Sequence, residues 1–475
     1  MRRRRTFHLV SLGCPKNRVD SEVMYGVARD AGLDHVADPA DAEVIVVNTC
    51  GFVGDAKKES IDTIFEMAAL KESGRCERLV VAGCLSQRHP GELAADLPEV
   101  DHFLGSSDML KLAEVLDKGD AAGRMLVGHP ADWLQRAADP RAISTGRASA
   151  YVKIAEGCSR TCSFCVIPDL RGTQRSRAAD DVVREVERLA AAGTVEINLI
   201  SQDTVRWGRD LAAEGRGTLA DLVRRVADVP GIRWVRLFYL YPETLDDALV
   251  ELLAQHPRVV PYVDMPLQHA SDSMLRRMKR GHGGSRLRRV VERLRRDVPG
   301  LVFRTAFIVG HPGETQADFD ELCDFVRWAS FDRVAAFRYS DEDGSASHSL
   351  DAKVPARTAQ SRYRKLMTLQ RGISHRLNAA LIGRELDVLV EGASDEHEYV
   401  IMGRHAGQAP EVDGQVYLSG GDAEPGTLRR VVVTQASDYD LVGELLGEGP
   451  RPARPPSAAA SKKRVSLNVV PTGWR

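Results

Sequence analysis

Three cysteines in one short stretch constrain this chain more than any other feature of its sequence. Cys158, Cys162 and Cys165 are separated by three and by two residues. With eight cysteines among 475 residues, random placement would give this spacing in roughly two chains per thousand. Thiolates in such a pattern are typical ligands of zinc or of an iron–sulfur cluster. The spacing therefore predicts a metal centre held by three thiolates on one tight loop.

The surrounding sequence favours an iron–sulfur cluster over the alternatives. Structural zinc sites use four ligands, and no Cys or His lies between Cys165 and His256. A disulfide with one free thiol does not suit a chain that carries no mark of secretion. Three thiolates on a four-iron cluster leave one iron with an open position, where chemistry can take place.

Composition limits the classes of protein that remain. A chain of 475 residues should form about two to four domains, and 43% apolar residues are enough for several cores. The formal net charge of −2 gives no overall attraction to nucleic acid. No apolar run reaches the length of a membrane span, and the start MRRRR leads into a segment too short and mixed for a signal peptide. Few, clustered cysteines then predict a cytoplasmic protein that does not contact membranes.

The first ~140 residues alternate between apolar runs and helical patterns, which predicts a flavodoxin-like parallel α/β domain. Three apolar runs each lead to a cysteine: residues 7–12 to Cys14, 44–47 to Cys50, and 79–82 to Cys84. Helical patterns such as 21–31 and 57–70 lie between them. Ligands of parallel sheets bind beyond the carboxyl ends of the strands, so neighbouring strands would bring the three thiols into one crevice. Each cysteine alone is typical of a small buried hydrophobe, but together they predict a second three-thiolate site.

A second alternation of strands and helices begins near residue 149. The strand patterns are 151–155, 196–200, 236–240, 259–264, 301–309 and 335–338, and helical patterns at 179–192, 219–226, 245–254, 286–296 and 317–329 separate them. Six such units are too few for a closed eight-stranded barrel. Polar residues and glycines follow several of the strands: Gln202, Asp203, Gln268, His269, Asp272, Gly310, His311, Gly313 and Glu314.

Two of these features leave alternatives open. Gly310 and Gly313 either let the backbone approach a ligand closely or simply form a loop with positive φ. Arg171, Arg175 and Arg177 follow the cysteine loop, and any of them could pair with a carboxylate or belong to a solvated approach to a helix.

The carboxyl-terminal part changes pattern after a basic helical stretch at 357–384. Four short strand patterns, 385–390, 398–402, 415–418 and 428–433, are separated by glycine-rich turns and predict a small antiparallel barrel. The last segment, 447–475, is rich in Pro, Ala and Ser and is predicted to be disordered.

The cysteine loop resembles the signature of the radical S-adenosylmethionine (SAM) enzymes. The resemblance rests on Glu156, Gly157 and the three cysteines, with Phe164 before the last of them. It implies an open, partial (βα)6 barrel and a 4Fe-4S cluster whose open iron binds SAM and cleaves it to a 5′-deoxyadenosyl radical. It also implies that Phe164 packs near the adenine and that Gln202, Gly310 and Gly313 contact SAM. His311 departs from the family, in which an aromatic residue is more common at this turn.

The wider sequence, residues 6 to about 446, is similar to the methylthiotransferases within that superfamily. The phrases around Cys14, Cys50 and Cys84 resemble their amino-terminal domain, which holds an auxiliary 4Fe-4S cluster, whereas Cys76 and Cys323 match no family ligand. The position of the small barrel resembles the family's TRAM domain. The resemblance implies four segments: 1–140 with the auxiliary cluster, 144–378 with the radical SAM fold, 379–446 as the TRAM barrel, and the tail 447–475.

The resemblance implies a methylthiotransferase that uses two clusters and two SAM molecules. One branch modifies adenosine in tRNA, and the other modifies an aspartate β-carbon in the twelfth protein of the small ribosomal subunit. The phrases at 11–22 and 265–272 look like the ribosomal-protein branch. A non-catalytic iron–sulfur scaffold or electron carrier would explain the cysteines but not the rest of the chain.

The expected partners follow from this assignment and from local charge. They are the ribosomal protein, free or in the ribosome, and a low-potential electron donor such as flavodoxin or ferredoxin, with the enzyme acting as a monomer. Residues 384–444 contain thirteen acidic and four basic side chains. A net charge of −9 in this segment would repel a phosphate backbone and attract a basic protein, so tRNA is not expected as a substrate. Glu396, Glu398, Glu411 and Asp413 are the predicted contacts.

Overall fold

The computed structural model describes residues 4–145, 148–211, 217–243, 245–394 and 400–447, together with the backbone of 468–470. Two parallel sheets and one closed barrel follow each other along the chain. This architecture confirms the predicted fold class: a flavodoxin-like domain, an open parallel barrel and a small TRAM barrel.

The first sheet is parallel and lies between two layers of helices. Its strands are β1 (Thr6–Leu12), β2 (Asp34–His35), β3 (Val44–Thr49), β4 (Arg78–Gly83), β5 (His102–Leu104) and β6 (Met125–Leu126). They lie in the order β2-β1-β3-β4-β5-β6. The helices are α1 (Pro15–Asp30), α2 (Gly54–Ser73), α3 (Cys84–Arg88), α4 (Pro90–Asp96) and α5 (Leu112–Lys118). Separate apolar clusters pack on the two faces, which explains why β1, β3 and β4 are apolar throughout.

The second sheet contains six parallel strands. They are β7 (Ser149–Lys153), β10 (Glu196–Ile200), β11 (Trp234–Leu237), β12 (Val259–Asp264), β13 (Val302–Val309) and β14 (Arg333–Arg338), in sequential order across the sheet. A short antiparallel pair, β8 (Ala155–Glu156) and β9 (Arg175–Ser176), flanks the cysteine loop. The helices are α6 (Ile167–Arg171), α7 (Ala179–Ala191), α8 (Leu219–Asp228), α9 (Asp247–Gln255), α10 (Asp272–Arg277), α11 (Gly284–Asp297), α12 (Gln316–Ala329) and α13 (Ala356–Ala379). The largest apolar cluster of the molecule lies between this sheet and its helices.

The closed barrel has five strands, so the sequence prediction of four was incomplete. They are β15 (Glu385–Ala393), β16 (Ile401–His405), β17 (Val416–Ser419), β18 (Leu428–Ala436) and β19 (Leu441–Leu445). The missed strand β19 pairs with both β17 and β18 and thereby closes the barrel. The basic helix α13 also ends earlier than the basic pattern, because residues 380–383 form a turn before β15.

Buried ion pairs attach the barrel to the second sheet. Arg404 on β16 bonds Glu196 on β10 at 2.6 Å, and Arg236 on β11 bonds the same carboxylate at 3.1 Å. Asp413 accepts a hydrogen bond from Tyr262 at 2.7 Å, and its side chain is only 1% exposed. The prediction that Asp413 contacts a partner protein is therefore wrong, since its carboxylate is buried between two domains.

Most of the tail falls outside the described residues. Of 447–475, only Gly447 and β20 (Asn468–Val470) are described, and β20 pairs in parallel with β1. Within the described part of the chain, every helix is too short or too polar to cross a membrane.

Candidate active site

The first set of cysteines lies at the carboxyl ends of three neighbouring strands. Cys14 follows β1 and precedes α1, Cys50 follows β3, and Cys84 begins α3 directly after β4. Gly13 has a φ of 91°, and a Cβ there would lie 3.0 Å from Cys50 Cβ. Burial, together with the nearby Cys84 and Cys14, raises the pKa of the Cys50 thiol to about 12. The crevice expected from the sequence thus brings these three thiols together.

The second set lies on the loop between β8 and α6. Gly157, with a φ of 80°, lets this loop pack against the following segment, because a Cβ there would meet Thr173 O at 2.3 Å. Burial, together with Cys162 and Cys158, raises the pKa of the Cys165 thiol to about 12. These three thiols are therefore also close neighbours.

Both sets have the donors that an iron–sulfur cluster requires. No group of three or more Cys, His, Asp or Glu side chains is arranged around a single ion in the part of the chain that the structure describes. A cation lies beside each set: Arg171 Nε is 3.3 Å from Cys84 Sγ, and Arg280 Nη1 is 3.3 Å from Cys162 Sγ. Burial raises the pKa of the Cys84 thiol, and the positive charge of Arg171 opposes this shift. The donor chemistry fits two clusters, each with one iron not bound by cysteine. Cys76 and Cys323 are buried in apolar cores instead.

Unpartnered buried polar atoms lie near the second set, where SAM is expected. Four oxygens are buried without a hydrogen-bond partner among the described residues: Gln174 Oε1, Gln202 Oε1, Asp203 Oδ1 and Glu243 Oε1. Arg160 bonds the other oxygen of both carboxylates. Both ring nitrogens of His282 are also unpartnered, and burial together with Arg280 and Arg160 lowers the pKa of this histidine to about 3. Such atoms need a polar ligand or water. The amino and ribose hydroxyl groups of SAM could donate to these oxygens, and its carboxylate could accept from the His282 ring.

The predicted SAM contacts occupy different surroundings. Gln202 Nε2 donates to Glu156 Oε1 at 2.6 Å, next to the cysteine loop. Phe164 is half-buried on that loop. Gly310 and Gly313 have φ values of 79° and 83°, as the loop interpretation requires. Their amides already donate to Glu314 Oε2 at 2.6 Å and to Ala352 O at 2.8 Å. Contact of these residues with SAM stays a prediction.

Three of the remaining strand-end residues, His269, His311 and Glu314, stabilise the turn after β13. His269 Nδ1 accepts the Ser271 amide at 3.1 Å, so Nε2 donates to Glu314 Oε1 at 3.2 Å. His311 packs edge-on against Tyr339, with ring centroids 5.1 Å apart, which gives it the packing role of an aromatic residue. Asp272 is exposed and accepts the Gly284 amide at 2.6 Å, and Gln268 has a φ of 72°.

The structure distinguishes the three arginines that follow the cysteine loop. Arg175 donates to the carbonyls of 130, 131 and 133, and Arg177 binds Asp181 and Glu185. Arg171 instead reaches the first cysteine set, where Nη1 bonds Asp20 at 2.7 Å and Nη2 bonds Asn17 at 2.6 Å. Arg171 thus connects the two sets.

Sequence reasoning missed several buried charges between the two cysteine sets. Lys153 bonds Asp20 at 2.5 Å and Glu156 at 2.7 Å. Lys16 is buried close by, and burial lowers its pKa while Cys14 and Glu156 raise it. The only signal in the sequence was that Lys16 and Asp20 follow Cys14 closely, because their partners lie more than a hundred residues away.

Comparison with known families divides the chain in the same way. Residues 6–105 match "Uncharacterized protein family UPF0004", 152–326 match the radical SAM superfamily, and 382–446 match the TRAM domain. Among solved structures, the radical SAM methyltransferase TsrM from Kitasatospora setae with tryptophan substrate and a SAM analogue has a TM-score of 0.50 at 18% identity. The match covers 70% of this chain and 73% of that one and shows a shared fold.

Curated relatives match almost the whole chain. A protein from Sorangium cellulosum, named ribosomal protein uS12 methylthiotransferase RimO, is 73% identical over 99% of this chain and 98% of its own length. A protein of the same name from Anaeromyxobacter sp. (strain Fw109-5) is 49% identical over 98% of each chain. With its radical SAM sheet, its TRAM barrel and these relatives, the chain belongs to the RimO family of radical SAM methylthiotransferases, enzymes that use SAM and 4Fe-4S clusters.

Proposed function

We propose that the protein adds a methylthio group to the β-carbon of an aspartate in ribosomal protein uS12. The name and 73% identity of the Sorangium relative support this substrate. The observation that supports the reaction is the connection of the two three-thiol sets by Arg171. This residue lies at the end of α6, the helix that follows the loop of Cys165, and its guanidinium contacts Cys84. An electron carrier would not need both a radical SAM fold and a direct contact between the two cysteine sets.

Each cysteine set would hold one 4Fe-4S cluster: Cys14, Cys50 and Cys84 the auxiliary cluster, and Cys158, Cys162 and Cys165 the catalytic one. When bound, the clusters and two SAM molecules supply a radical that removes hydrogen from an unactivated carbon and a methylated sulfur that replaces it. Gln202 and Phe164 would line the SAM site, and Gly310 and Gly313 would shape its wall.

The chain's own residues position the two sites and exclude water from the space between them. Asp20, Glu156, Lys153 and Arg171 form a buried network in which every charged group has an opposite partner. Each of these side chains is at most 4% exposed. Fixed, dehydrated groups of this kind hold reactants in one geometry and protect reactive species from solvent.

The proposal includes the finer assignments of partners and boundaries. The enzyme is a cytoplasmic monomer that receives electrons from flavodoxin or ferredoxin, acts on uS12 free or in the ribosome, and does not modify tRNA. Its segments are 1–140, 144–378, 379–446 and the tail 447–475. The gap between the end of α13 at Ala379 and the start of β15 at Glu385 supports the boundary between the second and third segments.

Mass spectrometry of uS12 tests the proposal. Reconstituted enzyme, a reductant and SAM should produce 5′-deoxyadenosine and a methylthio group on one aspartate of purified uS12. A tRNA anticodon stem-loop should remain unmodified in a parallel reaction. Modification of that RNA with unmodified uS12 would assign the enzyme to the tRNA branch, and absence of 5′-deoxyadenosine would support a non-catalytic scaffold.

A further inference from the structure

Lys16 extends from the first cysteine set to the carboxyl ends of the strands of the second sheet. It lies two residues after Cys14, in the first turn of α1, and is 8% exposed. Its Nζ is 3.4 Å from Ser201 O, just beyond the end of β10. It also lies 3.3 Å from the ring centroid of Tyr239, just beyond the end of β11. The ammonium group is therefore at the carboxyl ends of two strands, where parallel sheets bind ligands.

No carboxylate lies within 4.0 Å of Lys16 Nζ among the residues that the structure describes. The nearby acids are bound by other groups. Glu156 accepts from Lys153 at 2.7 Å, and Asp264 accepts from Arg304 at 2.8 Å. The direct contacts of the Lys16 ammonium are thus a backbone carbonyl and an aromatic ring. A buried cation normally pairs directly with an anion or binds a ligand.

We infer that Lys16 binds the side-chain carboxylate of the substrate aspartate. This inference rests on the proposed function. The aspartate β-carbon is bonded directly to that carboxylate, so a cation that holds the carboxylate also fixes the reacting carbon. The carboxylate of SAM has the same chemistry, but the unpartnered atoms suited to SAM lie around Arg160 and His282. Lys16 instead belongs to the segment that follows Cys14, next to the auxiliary site from which the methylthio group is transferred.

Binding of two forms of uS12 tests the inference. One form is wild type, and the other has asparagine in place of the modified aspartate. Isothermal titration calorimetry should show that reconstituted enzyme binds the aspartate form about 10- to 100-fold more tightly, as expected for a hydrogen bond between charged groups. Lys16→Met should bind both forms equally, with a similar rise in KM for uS12. Lys16→Arg should retain part of the preference because it keeps the cation.

Measurements of iron content and SAM cleavage distinguish binding of the substrate carboxylate from two other roles of Lys16, binding of the SAM carboxylate and support of the auxiliary cluster. Lys58→Met, a change of the same type at a side chain that is 76% exposed, serves as the control and should match wild type in all assays. An undiminished preference of Lys16→Met for the aspartate form would overturn the inference. A raised KM for SAM in the absence of uS12 would assign Lys16 to the SAM carboxylate, and loss of half the iron would assign it to the auxiliary cluster. A wild-type enzyme that does not modify uS12 would overturn the proposed function as well.

Discussion

Arg171 connects the two cysteine sets through a single side chain. Its guanidinium bonds Asp20 and Asn17 and lies 3.3 Å from Cys84 Sγ, with the side chain 3% exposed. A lysine could not make three divergent contacts of this kind, because the guanidinium presents its donors in a planar fork. Arg171 therefore stabilises the interface before any cofactor is bound.

Arg171→Met should destabilise the cluster-free protein by about 3–5 kcal/mol, because it removes one member of a buried charge network. Arg171→Lys should cost less, since an ammonium can keep the bond to Asp20. Scanning calorimetry of the unfolding transition provides the measurement. The control Arg184→Met changes a side chain that is 64% exposed and should alter stability by no more than about 0.5 kcal/mol. An unfolding temperature for Arg171→Met equal to that of wild type would contradict the prediction.

The residues of the site differ in how well the sequence could predict them. The strand ends brought Cys14, Cys50 and Cys84 together as expected, because a local apolar run fixes where each strand stops. Lys16 and Asp20 could not be identified in this way. Asp20 bonds Lys153, 133 positions later, and no local pattern records such an approach.

The two cysteine sets belong to separate elements, one to the first sheet and the other to the loop after β8. Reconstituted protein should contain on the order of eight irons, as two four-iron clusters. Combined replacement of Cys158, Cys162 and Cys165 by Ala should leave about half of this iron. Cys84→Ala should still cleave SAM but yield no methylthiolated uS12, because it changes only the first site. Cys323→Ala, in the apolar core, is the control, and full product formation by Cys84→Ala would contradict the assignment.

Docking of the barrel on the second sheet should depend on pH through Glu196. Burial opposes ionisation of this carboxyl, but Arg404 and Arg236 outweigh burial and lower its pKa to about 2. A depressed pKa in the folded state means that the ion pair stabilises the fold above the ordinary value of 4.5 and is lost as the pH falls toward 2. Glu196→Gln leaves both arginines without a carboxylate, so it should destabilise the protein by about 3–5 kcal/mol at pH 7.

Unfolding temperatures measured across pH provide the test of this prediction. The difference in unfolding temperature between wild type and Glu196→Gln should be constant from pH 7 to about 4.5. It should become smaller below that pH. Glu385→Gln, whose side chain is 54% exposed and pairs with Arg430, is the matched control and should show little difference at any pH. If this difference in unfolding temperature increased at acidic pH, a group other than Glu196 would control the attachment of the barrel to the second sheet.

The sequence predicted the strands of the second sheet more completely than the strand that closes the barrel. All six parallel strands of the second sheet occur within a few residues of their predicted positions, because each contains consecutive apolar residues, although charged residues such as Glu196 and Arg236 flank or interrupt them. Strand β19 was missed, since Leu441–Leu445 is short and has a central glycine that interrupts the β pattern. Its pairing with β17 and β18 is a tertiary feature that no local pattern encodes.

Across the whole molecule, charge is nearly balanced but unevenly distributed. The chain has a formal net charge of −2, whereas residues 384–444 have thirteen acidic and four basic side chains. Not all of these acids are available to a partner. Asp413 is buried, Glu411 pairs with Arg18, and Glu396 and Glu398 lie outside the described residues. The exposed acids of the barrel with no ion pair to another described residue are Asp422, Glu424 and Glu444.

These three acids should attract uS12, because ribosomal proteins are usually strongly basic and complementary charge steers association. Changing Asp422, Glu424 and Glu444 together to Lys should weaken binding of uS12 by about tenfold or more at low salt, mainly through slower association. Since screening acts over about 8 Å at physiological salt, wild-type binding should weaken as salt rises and the variant should respond less. Surface plasmon resonance measures both rates.

The control for this experiment is a variant with the same change in total charge on the first domain: Glu66→Lys, Glu72→Lys and Asp117→Lys, all at exposed positions. It should bind uS12 as wild type does if the barrel attracts the substrate, whereas equal loss in both variants would indicate that only total charge matters. SAM cleavage without uS12 should be unchanged in both, because none of the six positions lies near either cysteine set. If the affinity of wild-type enzyme for uS12 did not depend on salt, Asp422, Glu424 and Glu444 would contribute only to solubility and not to binding.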